Sequence, residues 1–334
     1  MLAMALHKIG PIESSPLRET ELPDPVAAPG EVRVKVKCCA ICRTDLHVIE
    51  GDLKPPAFPR VPGHQIVGIV DQLGDGCRKL KLGQRVGIGW LRFTCGRCKF
   101  CLSGRENLCP DSKYTGYDAD GGYAQFATVN ENFAYQLPER FDDVHSTPLL
   151  CAGIIGYRAL TRSNIAPGGT LAIFGFGSSA HITIQIALRW GCTVFVVSRN
   201  QNHQELSRQL GAAWAGSDFR QMPAKADAAI VFAPAGSIVP DALQSLDRGG
   251  ALSVAGIHMS AIPSLDYDRD LFNERDLRSV TSNTRQDGRS LLDEAAAAGV
   301  KPQITTYPLR EANKALQDMK ADRIAGTGVL LIDP

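Results

Sequence analysis

Hydrophobic and polar residues alternate along part of the first third of the chain, and this alternation predicts β-strands. Residues 31–36 follow a period of two, the pattern of a strand with one buried face. Apolar runs at 66–70 and 86–88 predict further strands, separated by turns rich in proline and glycine. No helical period is recognisable before about residue 145, so this part of the chain is predicted to be β-rich.

A different pattern begins near residue 145, where short apolar runs alternate with helical periods. The predicted strands cover residues 171–174, 193–197, 228–232 and 251–255. The predicted helices cover residues 179–189, 203–210 and 238–246, and the tail adds helices at 290–298 and 311–320 and a closing strand at 329–332. Apolar strands that alternate with helices at this spacing predict an α/β domain with a doubly wound parallel sheet.

The composition is that of a globular protein with about two domains. The chain has 334 residues, of which 44% are hydrophobic and 21% are charged. Its formal net charge of +1 argues against a nucleic acid or an acidic membrane as partner, and no apolar run is long enough to cross a bilayer. Because the N-terminus shows no signal-peptide pattern, we expect a cytoplasmic protein whose ten cysteines stay reduced.

Four cysteines are spaced as a zinc site. Cys95, Cys98, Cys101 and Cys109 form the pattern Cys-x2-Cys-x2-Cys-x7-Cys within a Gly- and Arg-rich stretch. A disulfide cluster is the alternative, but disulfides this dense are typical of small secreted domains. Four thiolates at this spacing are typical of one tetrahedral zinc ion, so we predict a zinc site here.

A glycine-rich turn follows the first strand of the α/β part. Gly175-x-Gly177-x-x-Ala180 has alanine in the third position of the dinucleotide fingerprint and includes Ser178 and Ser179. Gly175 permits the tight turn, and Gly177 lets the backbone approach a pyrophosphate at the helix N-terminus. A plain connection between strand and helix is the alternative. Because a predicted strand precedes the turn and a predicted helix follows it, a cofactor-binding loop is favoured.

The end of the second strand bears on which dinucleotide is bound. An NAD site normally has a carboxylate there for the ribose hydroxyls, whereas this chain has Ser198 followed by Arg199. The missing carboxylate removes repulsion toward a 2′-phosphate, and a guanidinium suits that phosphate. We therefore predict a preference for NADP(H) over NAD(H). The alternative is that Arg199 stacks over the adenine of NAD.

Three further candidate ligands come from separate segments. Cys42 follows the alternating strand, His64 lies about twenty residues later, and Cys151 lies where the α/β pattern begins. Two thiolates and an imidazole leave one coordination position open, as in catalytic zinc sites. Taken alone, each residue is more often a packed core residue than a ligand. The remaining cysteines are expected in the core: Cys38, Cys39, Cys77 and Cys192.

Together these motifs resemble those of the zinc-dependent alcohol dehydrogenases of the medium-chain dehydrogenase/reductase superfamily, over essentially the whole chain. In order, they are Cys-x-Thr-Asp-x-His, Gly-His, the four-cysteine segment, Pro-Leu-x-Cys-Ala-Gly and the glycine loop. The resemblance implies a β-rich GroES-like catalytic domain formed by residues 1–151 and 286–334, with a zinc lobe at about 92–112. It implies that residues 152–285 form a Rossmann dinucleotide-binding domain.

The resemblance also implies an activity and cofactors. Such an enzyme interconverts alcohols and aldehydes or ketones by hydride transfer with NADP(H) or NAD(H), and it binds two zinc ions per subunit. Cys42, His64 and Cys151 would bind the catalytic zinc, which acts as a Lewis acid on the substrate oxygen. The four clustered cysteines would bind the structural zinc. Small alcohols or aldehydes would be the substrates, and relatives are usually homo-oligomers, either tetramers or dimers.

Further residues take roles from the same resemblance. Asp45 matches an acid that orients the ligand histidine, and Thr44 and His47 match a proton relay. Arg43 matches a residue that contacts the cofactor pyrophosphate. The apolar substrate pocket and its cofactor side are predicted at Leu53, Trp90 and Ile257.

One departure from the family pattern is Gln65. The family usually has a glutamate directly after the ligand histidine, and that glutamate can act as a ligand during turnover. An amide is neutral and is a poorer ligand. We therefore expect slower exchange at the metal or a changed rate, and no loss of zinc binding.

Two other functions compete with this interpretation. A nucleic-acid-binding zinc knuckle accounts for the four-cysteine segment but for neither the scattered ligands nor the glycine loop. A zinc-free quinone or enoyl reductase of the same superfamily is disfavoured because every thiol and imidazole ligand is retained. Thr44 and His47 also have an ordinary interpretation, as a turn hydroxyl and a surface imidazole.

Overall fold

The computed structural model describes residues 1–332, which form two units. Unit 1 comprises Met1–Cys151, Asn283–Asp293 and the chain from Pro302 onward. Unit 2 comprises Ala152–Ser282 and Glu294–Lys301. Within the described residues, no helix combines the length and the apolar character that a membrane span requires.

The described residues form strands, helices and short turns. The strands are β1 (Leu2–Leu6), β2 (Leu17–Glu21), β3 (Glu31–Ala40), β4 (Gln65–Leu73), β5 (Arg85–Ile88), β6 (Leu91–Phe93), β7 (Lys113–Tyr114), β8 (Phe126–Asn130), β9 (Ala134–Gln136), β10 (Thr170–Phe174), β11 (Thr193–Val197), β12 (Trp214–Gly216), β13 (Ala226–Val231), β14 (Leu246–Val254), β15 (Asp276–Ser279), β16 (Ile304–Pro308) and β17 (Thr327–Leu331). The helices are α1 (Arg43–Glu50), α2 (Lys99–Leu102), α3 (Asp143–Ser146), α4 (Ala152–Arg162), α5 (Ser178–Arg189), α6 (Gln201–Gln209), α7 (Val239–Ser245), α8 (Arg285–Ala298) and α9 (Ala312–Lys320). A π-helix covers Tyr267–Leu271.

The main sheet of unit 1 has seven strands, and β3 lies at its centre. The strand order is β16-β17-β3-β4-β5-β9, and β8 also pairs with β3. The strand predicted from the alternation at 31–36 is confirmed, and its buried residues include Val32, Val34 and Val36. The antiparallel β3–β4 pair places Ala40 opposite Gln65. This pairing brings the chain after β3, with Cys42, beside the chain before β4, with His64.

Although no helical period is recognisable before about residue 145, helix α1 follows β3 after a short connection. The Asp45 side chain accepts a hydrogen bond of 2.8 Å from the backbone N–H of Cys42 and thereby caps the first turn. Gly51, at φ 93°, ends the helix. With eight residues, α1 is too short to show a helical period. Helices α2 and α3 have only four residues each.

Unit 2 is built on six parallel strands, which confirms the predicted doubly wound sheet. The strand order β12-β11-β10-β13-β14-β15 reverses direction between β10 and β13, and ligands bind outside the carboxyl ends of strands at such a point. The helices predicted at 179–189, 203–210 and 238–246 are α5, α6 and α7. The pattern did not predict β12, β15 or α4. Strands of three and four residues carry too little periodicity to be recognised.

His181 is a buried titratable residue in the first half of α5. It follows Ala180, and its Nδ1 lies 3.4 Å from the carbonyl oxygen of Gly177. Burial disfavours the charged imidazolium and lowers the pKa of His181 from 6.5 to about 4. The ring is therefore neutral in the folded protein at neutral pH, while the unfolded chain takes up a proton below its ordinary pKa.

We predict that His181 makes unit 2 sensitive to acid. Since the pKa of His181 is lower in the folded state, its stabilising contribution to the free energy of unfolding is fully present above pH 6.5. This contribution is lost as the pH falls toward about 4. The free energy of unfolding should therefore lose about 2 kcal/mol from this residue between pH 7.5 and pH 5. Urea unfolding of wild type and His181→Gln at both pH values measures the difference. If the difference in the free energy of unfolding between wild type and variant is the same at both pH values, the prediction is contradicted.

Candidate metal centres and cofactor loop

The four clustered cysteines form the first candidate metal centre. The sulfur atoms of Cys95, Cys98, Cys101 and Cys109 all lie within 4.8 Å of one another. The Cys98 and Cys101 sulfurs are 3.6 Å apart, and none of the ten cysteines is in a disulfide. The backbone N–H groups of Cys95 and Cys98 donate to the sulfurs of Cys109 and Cys95, each at 3.4 Å. Backbone N–H groups directed at sulfur favour the thiolates that a metal requires.

An ion pair anchors this cysteine lobe within unit 1. The Glu106 carboxylate accepts hydrogen bonds from the Arg285 guanidinium at 3.0 Å (Nε) and 2.6 Å, and from the Arg285 backbone N–H at 2.7 Å. Burial raises the pKa of Glu106, but the contacts with Arg285 outweigh it and hold that pKa below its ordinary value. The guanidinium also lies 4.6 Å above the Phe133 ring. The lobe is therefore attached to the N-terminus of α8.

Cys42, His64 and Cys151 form the second candidate metal centre. Their donor atoms lie within 4.8 Å of one another, although the three residues come from separate segments. Cys42 precedes α1, His64 precedes β4, and Cys151 follows the 3-10 turn Thr147–Leu150. The Nε2 atom of His64 is 3.3 Å from the Cys151 sulfur. The sequence-predicted ligand set is thus brought together by the pairing of β3 with β4 and by the turn that leads to α4.

A buried carboxylate holds the histidine of this cluster. Asp45 Oδ1 accepts from His64 Nδ1 at 3.0 Å and from the Gly63 N–H at 3.3 Å. Asp45 Oδ2 accepts from the Cys42 N–H at 2.8 Å and from the Tyr123 hydroxyl at 2.9 Å. The sequence reasoning missed Tyr123, because nothing in its local sequence points to a residue 78 positions away.

The ionisation of the cluster follows from these contacts. Burial alone lowers the pKa of His64, but the Asp45 carboxylate and Cys42 raise it to about 10. The Cys151 thiol and the His64 ring lower the pKa of Cys42 well below its ordinary value, against the effect of burial. Two cysteine sulfurs, one of which ionises readily, and an imidazole held by Nδ1 are a donor set that suits zinc. The same holds for the four sulfurs of the cysteine lobe.

Residues of α1 surround the cluster on one side. Thr44 is buried, and its Oγ1 lies 3.7 Å from the Cys42 sulfur. His47, one helical turn later, has its Nδ1 2.8 Å from Asp52 Oδ2. Asp52 is a second residue that sequence reasoning missed. Arg43 is exposed at the first position of the helix.

An aromatic stack covers the histidine. The Trp90 ring meets the His64 ring edge to face at a centroid distance of 4.9 Å. Trp90 is in turn stacked on Tyr114 at 4.8 Å, with 16° between the planes. Trp90 is therefore held rigidly beside the metal cluster. Leu53 lies in the connection after α1, where its N–H donates to the His47 carbonyl.

Gln65 is buried directly behind the cluster. Its Nε2 donates to the Ile41 carbonyl at 3.2 Å. An amide can make this bond, and a carboxylate at the same place would instead oppose the carbonyl oxygen. The departure from the family pattern is therefore accommodated by the local backbone.

The glycine loop lies at the carboxyl end of β10. Gly175 has φ +85°, and a Cβ there would meet the Ala233 backbone nitrogen at 3.0 Å. Gly177 is the N-cap of α5, and a Cβ there would meet nothing within 4 Å. Ser178 and Ser179 form the first turn of α5, and Ala180 is buried. The N–H groups at this helix start are therefore accessible to an anion.

The other predicted cofactor residues follow neighbouring parallel strands. Ser198 and Arg199 come directly after β11, and Ile257 comes after β14 and is 53% exposed. Because the strands are parallel, these residues lie at the same sheet edge as the glycine loop. Ser198 is buried with its carbonyl bonded to the Gln204 side chain at 2.7 Å, whereas Arg199 is exposed.

Comparison with known proteins gives the family. Residues 28–139 match the model of the alcohol dehydrogenase GroES-like domain, and residues 180–297 match that of the zinc-binding dehydrogenases. The chain is 50% identical to the probable alcohol dehydrogenase AdhA of Mycobacterium tuberculosis, with 99% of this chain and 97% of that relative covered.

Solved structures share the fold over nearly the whole chain. A cinnamyl alcohol dehydrogenase from Sorghum bicolor has a TM-score of 0.90 at 27% identity, with 98% of this chain and 96% of that chain covered. A cobalt- and zinc-bound thermostable alcohol dehydrogenase from Pyrobaculum aerophilum has a TM-score of 0.90 at 25% identity, with 99% of each chain covered.

A doubly wound sheet with a glycine loop, together with clustered zinc-type ligands, defines a metal-dependent nicotinamide dehydrogenase. The chain belongs to the zinc-dependent alcohol dehydrogenases of the medium-chain dehydrogenase/reductase superfamily. It is an NAD(P)-dependent oxidoreductase that interconverts alcohols and their carbonyl products. None of the comparisons supports a nucleic-acid-binding zinc knuckle, and the zinc-binding dehydrogenase match favours a zinc enzyme over a zinc-free reductase.

Proposed function

We propose that this enzyme binds two zinc ions per chain, a catalytic ion at Cys42, His64 and Cys151 and a structural ion at the four-cysteine lobe. The observation that carries this proposal is the convergence of two sets of donor atoms. One set has two sulfurs and a nitrogen and the other has four sulfurs, and the atoms of each set lie within 4.8 Å of one another. Three ligands leave one coordination position for substrate, whereas four complete a closed site. The first ion therefore has a catalytic role and the second a structural role.

Residues of the protein orient the ligands of the catalytic zinc. Cys42, His64 and Cys151 would hold the zinc, which would supply Lewis-acid polarisation of the substrate oxygen, and the nicotinamide would supply the hydride chemistry. Asp45 accepts the Nδ1 proton of His64 and so leaves Nε2 as the nitrogen that would lose its proton and bind the metal. Trp90 packs its ring edge to face against His64 and excludes water from that side.

Thr44 and His47 remove the proton of the alcohol. The buried Thr44 hydroxyl lies beside the Cys42 sulfur, where it accepts the proton and passes it on. His47 donates its Nδ1 proton to Asp52, so the nitrogen that receives a proton in the neutral ring is Nε2. His47 is partly exposed and delivers the proton to solvent.

The substrate side is apolar and aromatic. Trp90 and Leu53 line the pocket for the carbon chain of the alcohol, and Trp90 is kept in place by Tyr114. Primary aliphatic, allylic and benzylic alcohols and their aldehydes suit such walls. Gln65, bonded to the Ile41 carbonyl, keeps a neutral group behind the metal.

The cofactor is NADP(H) in preference to NAD(H). The glycine loop, Ser178 and Ser179 would receive the pyrophosphate at the start of α5. Arg43 has the cofactor-binding role that the resemblance to the family implies. The exposed Arg199 supplies a guanidinium where an NAD enzyme has a carboxylate. Ile257, at the same sheet edge, packs against the nicotinamide side of the cofactor.

A zinc assay combined with a substrate screen tests this function. The purified enzyme should contain two zinc ions per chain and should oxidise alcohols with a higher kcat/KM for NADP than for NAD. Cys42→Ser should lose one zinc ion and more than a hundredfold in activity, since removing a ligand opens the catalytic site. The measurements are zinc by mass spectrometry and nicotinamide absorbance.

Cys39→Ser is the matched control for this test, because Cys39 is a buried cysteine outside both clusters. It should retain both zinc ions. A wild-type enzyme with a single zinc ion, held by the four-cysteine lobe, contradicts the catalytic assignment. A clear preference for NAD contradicts the role given to Arg199.

Thr44→Val tests the proton relay. Valine keeps the shape of threonine and removes the hydroxyl, so turnover should fall about a hundredfold while both zinc ions stay bound. Thr44→Ser retains the hydroxyl and should keep most of the activity. Steady-state rates with one alcohol and zinc content are measured for both variants. Turnover of Thr44→Val close to that of wild type refutes the relay.

The enzyme forms a homo-oligomer through the outer edge of the unit 2 sheet. β15 is the last strand at that edge, where the Ser279 carbonyl at its end is already bonded to Arg162 Nε at 2.8 Å. The exposed aromatic pair Tyr267 and Phe272, 64% and 62% exposed, lies just before it in the chain. An unpaired strand next to apolar surface is typical of an interface between copies.

Leu277→Lys should break this association, because a lysine on an edge strand opposes pairing. Sedimentation should show wild type as a dimer or tetramer and the variant shifted toward monomer. Val26→Lys, another exposed apolar residue, is the control and should sediment like wild type. A monomeric wild type rules out the proposed oligomer.

A further inference from the structure

Tyr123 lies at the centre of unit 1 with its side chain fully buried and its hydroxyl directed at Asp45. We propose that Tyr123 is a positioning residue for the catalytic metal, acting through Asp45 on His64. This inference rests on the proposed role of His64 as a zinc ligand. It adds a residue that lies outside every motif used to recognise the family.

The Asp45 carboxylate needs the tyrosine hydroxyl because it has no access to water. Its side chain is only 2% exposed, so its charge is stabilised by donors from the protein alone. The oxygen that faces Tyr123 also accepts from the Cys42 N–H, and the other oxygen accepts from Gly63 and His64. Tyr123 and His64 are the two side-chain donors, one on each oxygen.

The tyrosine hydroxyl is a permanent donor. Burial and the negative charge of Asp45 raise the pKa of Tyr123 well above its ordinary value, so the hydroxyl keeps its proton. Asp45 accepts that proton in a hydrogen bond of 2.9 Å. The carboxylate cannot turn toward Tyr123 or away from it without breaking a bond to Cys42 or to His64.

The ring of Tyr123 has little freedom to move. A Cβ at position 63 would lie 2.4 Å from the Cδ1 atom of Tyr123, so only glycine at this position leaves room for the ring. The backbone of Tyr123 is fixed by bonds with Met4 at 2.8 Å and with Pro62 at 3.0 Å. The turn that carries the ligand His64 therefore also holds the tyrosine that supports it.

The consequence is a chain of hydrogen bonds from Tyr123 to Asp45 to His64 and then to the metal. Loss of an outer partner of a metal ligand typically costs 10- to 100-fold in metal affinity. Tyr123 is one step further out than Asp45. We therefore expect the catalytic zinc to leave about tenfold faster when the hydroxyl is removed.

The test is zinc release from the Tyr123→Phe holoenzyme into a chelating indicator dye. Release from wild type should be biphasic, and the catalytic phase is the one that runs in parallel with loss of activity. Tyr123→Phe should speed this phase about tenfold and leave the other phase unchanged. Tyr135→Phe is the matched control, because Tyr135 is also a buried tyrosine of unit 1 but is bonded to Asn283 at 3.5 Å. It should change neither phase.

A double-mutant cycle separates positioning from general destabilisation. If Tyr123 acts through Asp45, the effects of Tyr123→Phe and Asp45→Asn on the catalytic phase will be strongly non-additive. Additive effects, equal acceleration of both phases, or a catalytic phase within twofold of wild type would each overturn the proposal. A wild-type enzyme with a single zinc ion would instead overturn the proposed function on which it rests.

Discussion

The structure of the cluster formed by Cys42, His64 and Cys151 depends on one buried carboxylate. Asp45 has almost no contact with solvent, so its charge must be matched by protein donors, and it takes them from three separate parts of the chain. Its bond to the Cys42 N–H starts α1, and its bond to His64 orients the imidazole. The requirement to satisfy one charge therefore fixes both a helix terminus and a candidate metal ligand.

The two metal centres are assembled by different routes. The four cysteines of the lobe lie within fifteen residues of sequence, and backbone N–H groups already point at their sulfurs. The three-residue cluster exists only after β3 has paired with β4 and the chain has reached Cys151. The four-cysteine set therefore needs only local chain closure, whereas the cluster of Cys42, His64 and Cys151 depends on long-range strand pairing.

The candidate cofactor site of unit 2 is formed by backbone geometry more than by side chains. The parallel sheet places the ends of β10, β11 and β14 at one edge, and the N-terminus of α5 opens onto that edge. Gly175 is required by its positive φ, and Gly177 leaves open space at the start of α5. Side chains matter mainly at Ser198 and Arg199, which stand where an NAD site normally has a carboxylate.

The parallel sheet, the glycine loop and the four-cysteine set were predictable from the amino-acid sequence, because apolar period and close ligand spacing are local properties of the chain. The set Cys42, His64 and Cys151 was predicted from the resemblance to the family, because its members lie far apart in sequence. The sequence pattern missed α1, whose eight residues are too few to show a helical period and whose start depends on a cap. It gave no sign of Tyr123 or Asp52 as partners of Asp45 and His47. These two contacts are visible in the tertiary structure alone. A single buried tyrosine or surface aspartate forms no recognisable sequence pattern, and folding brings its partner near.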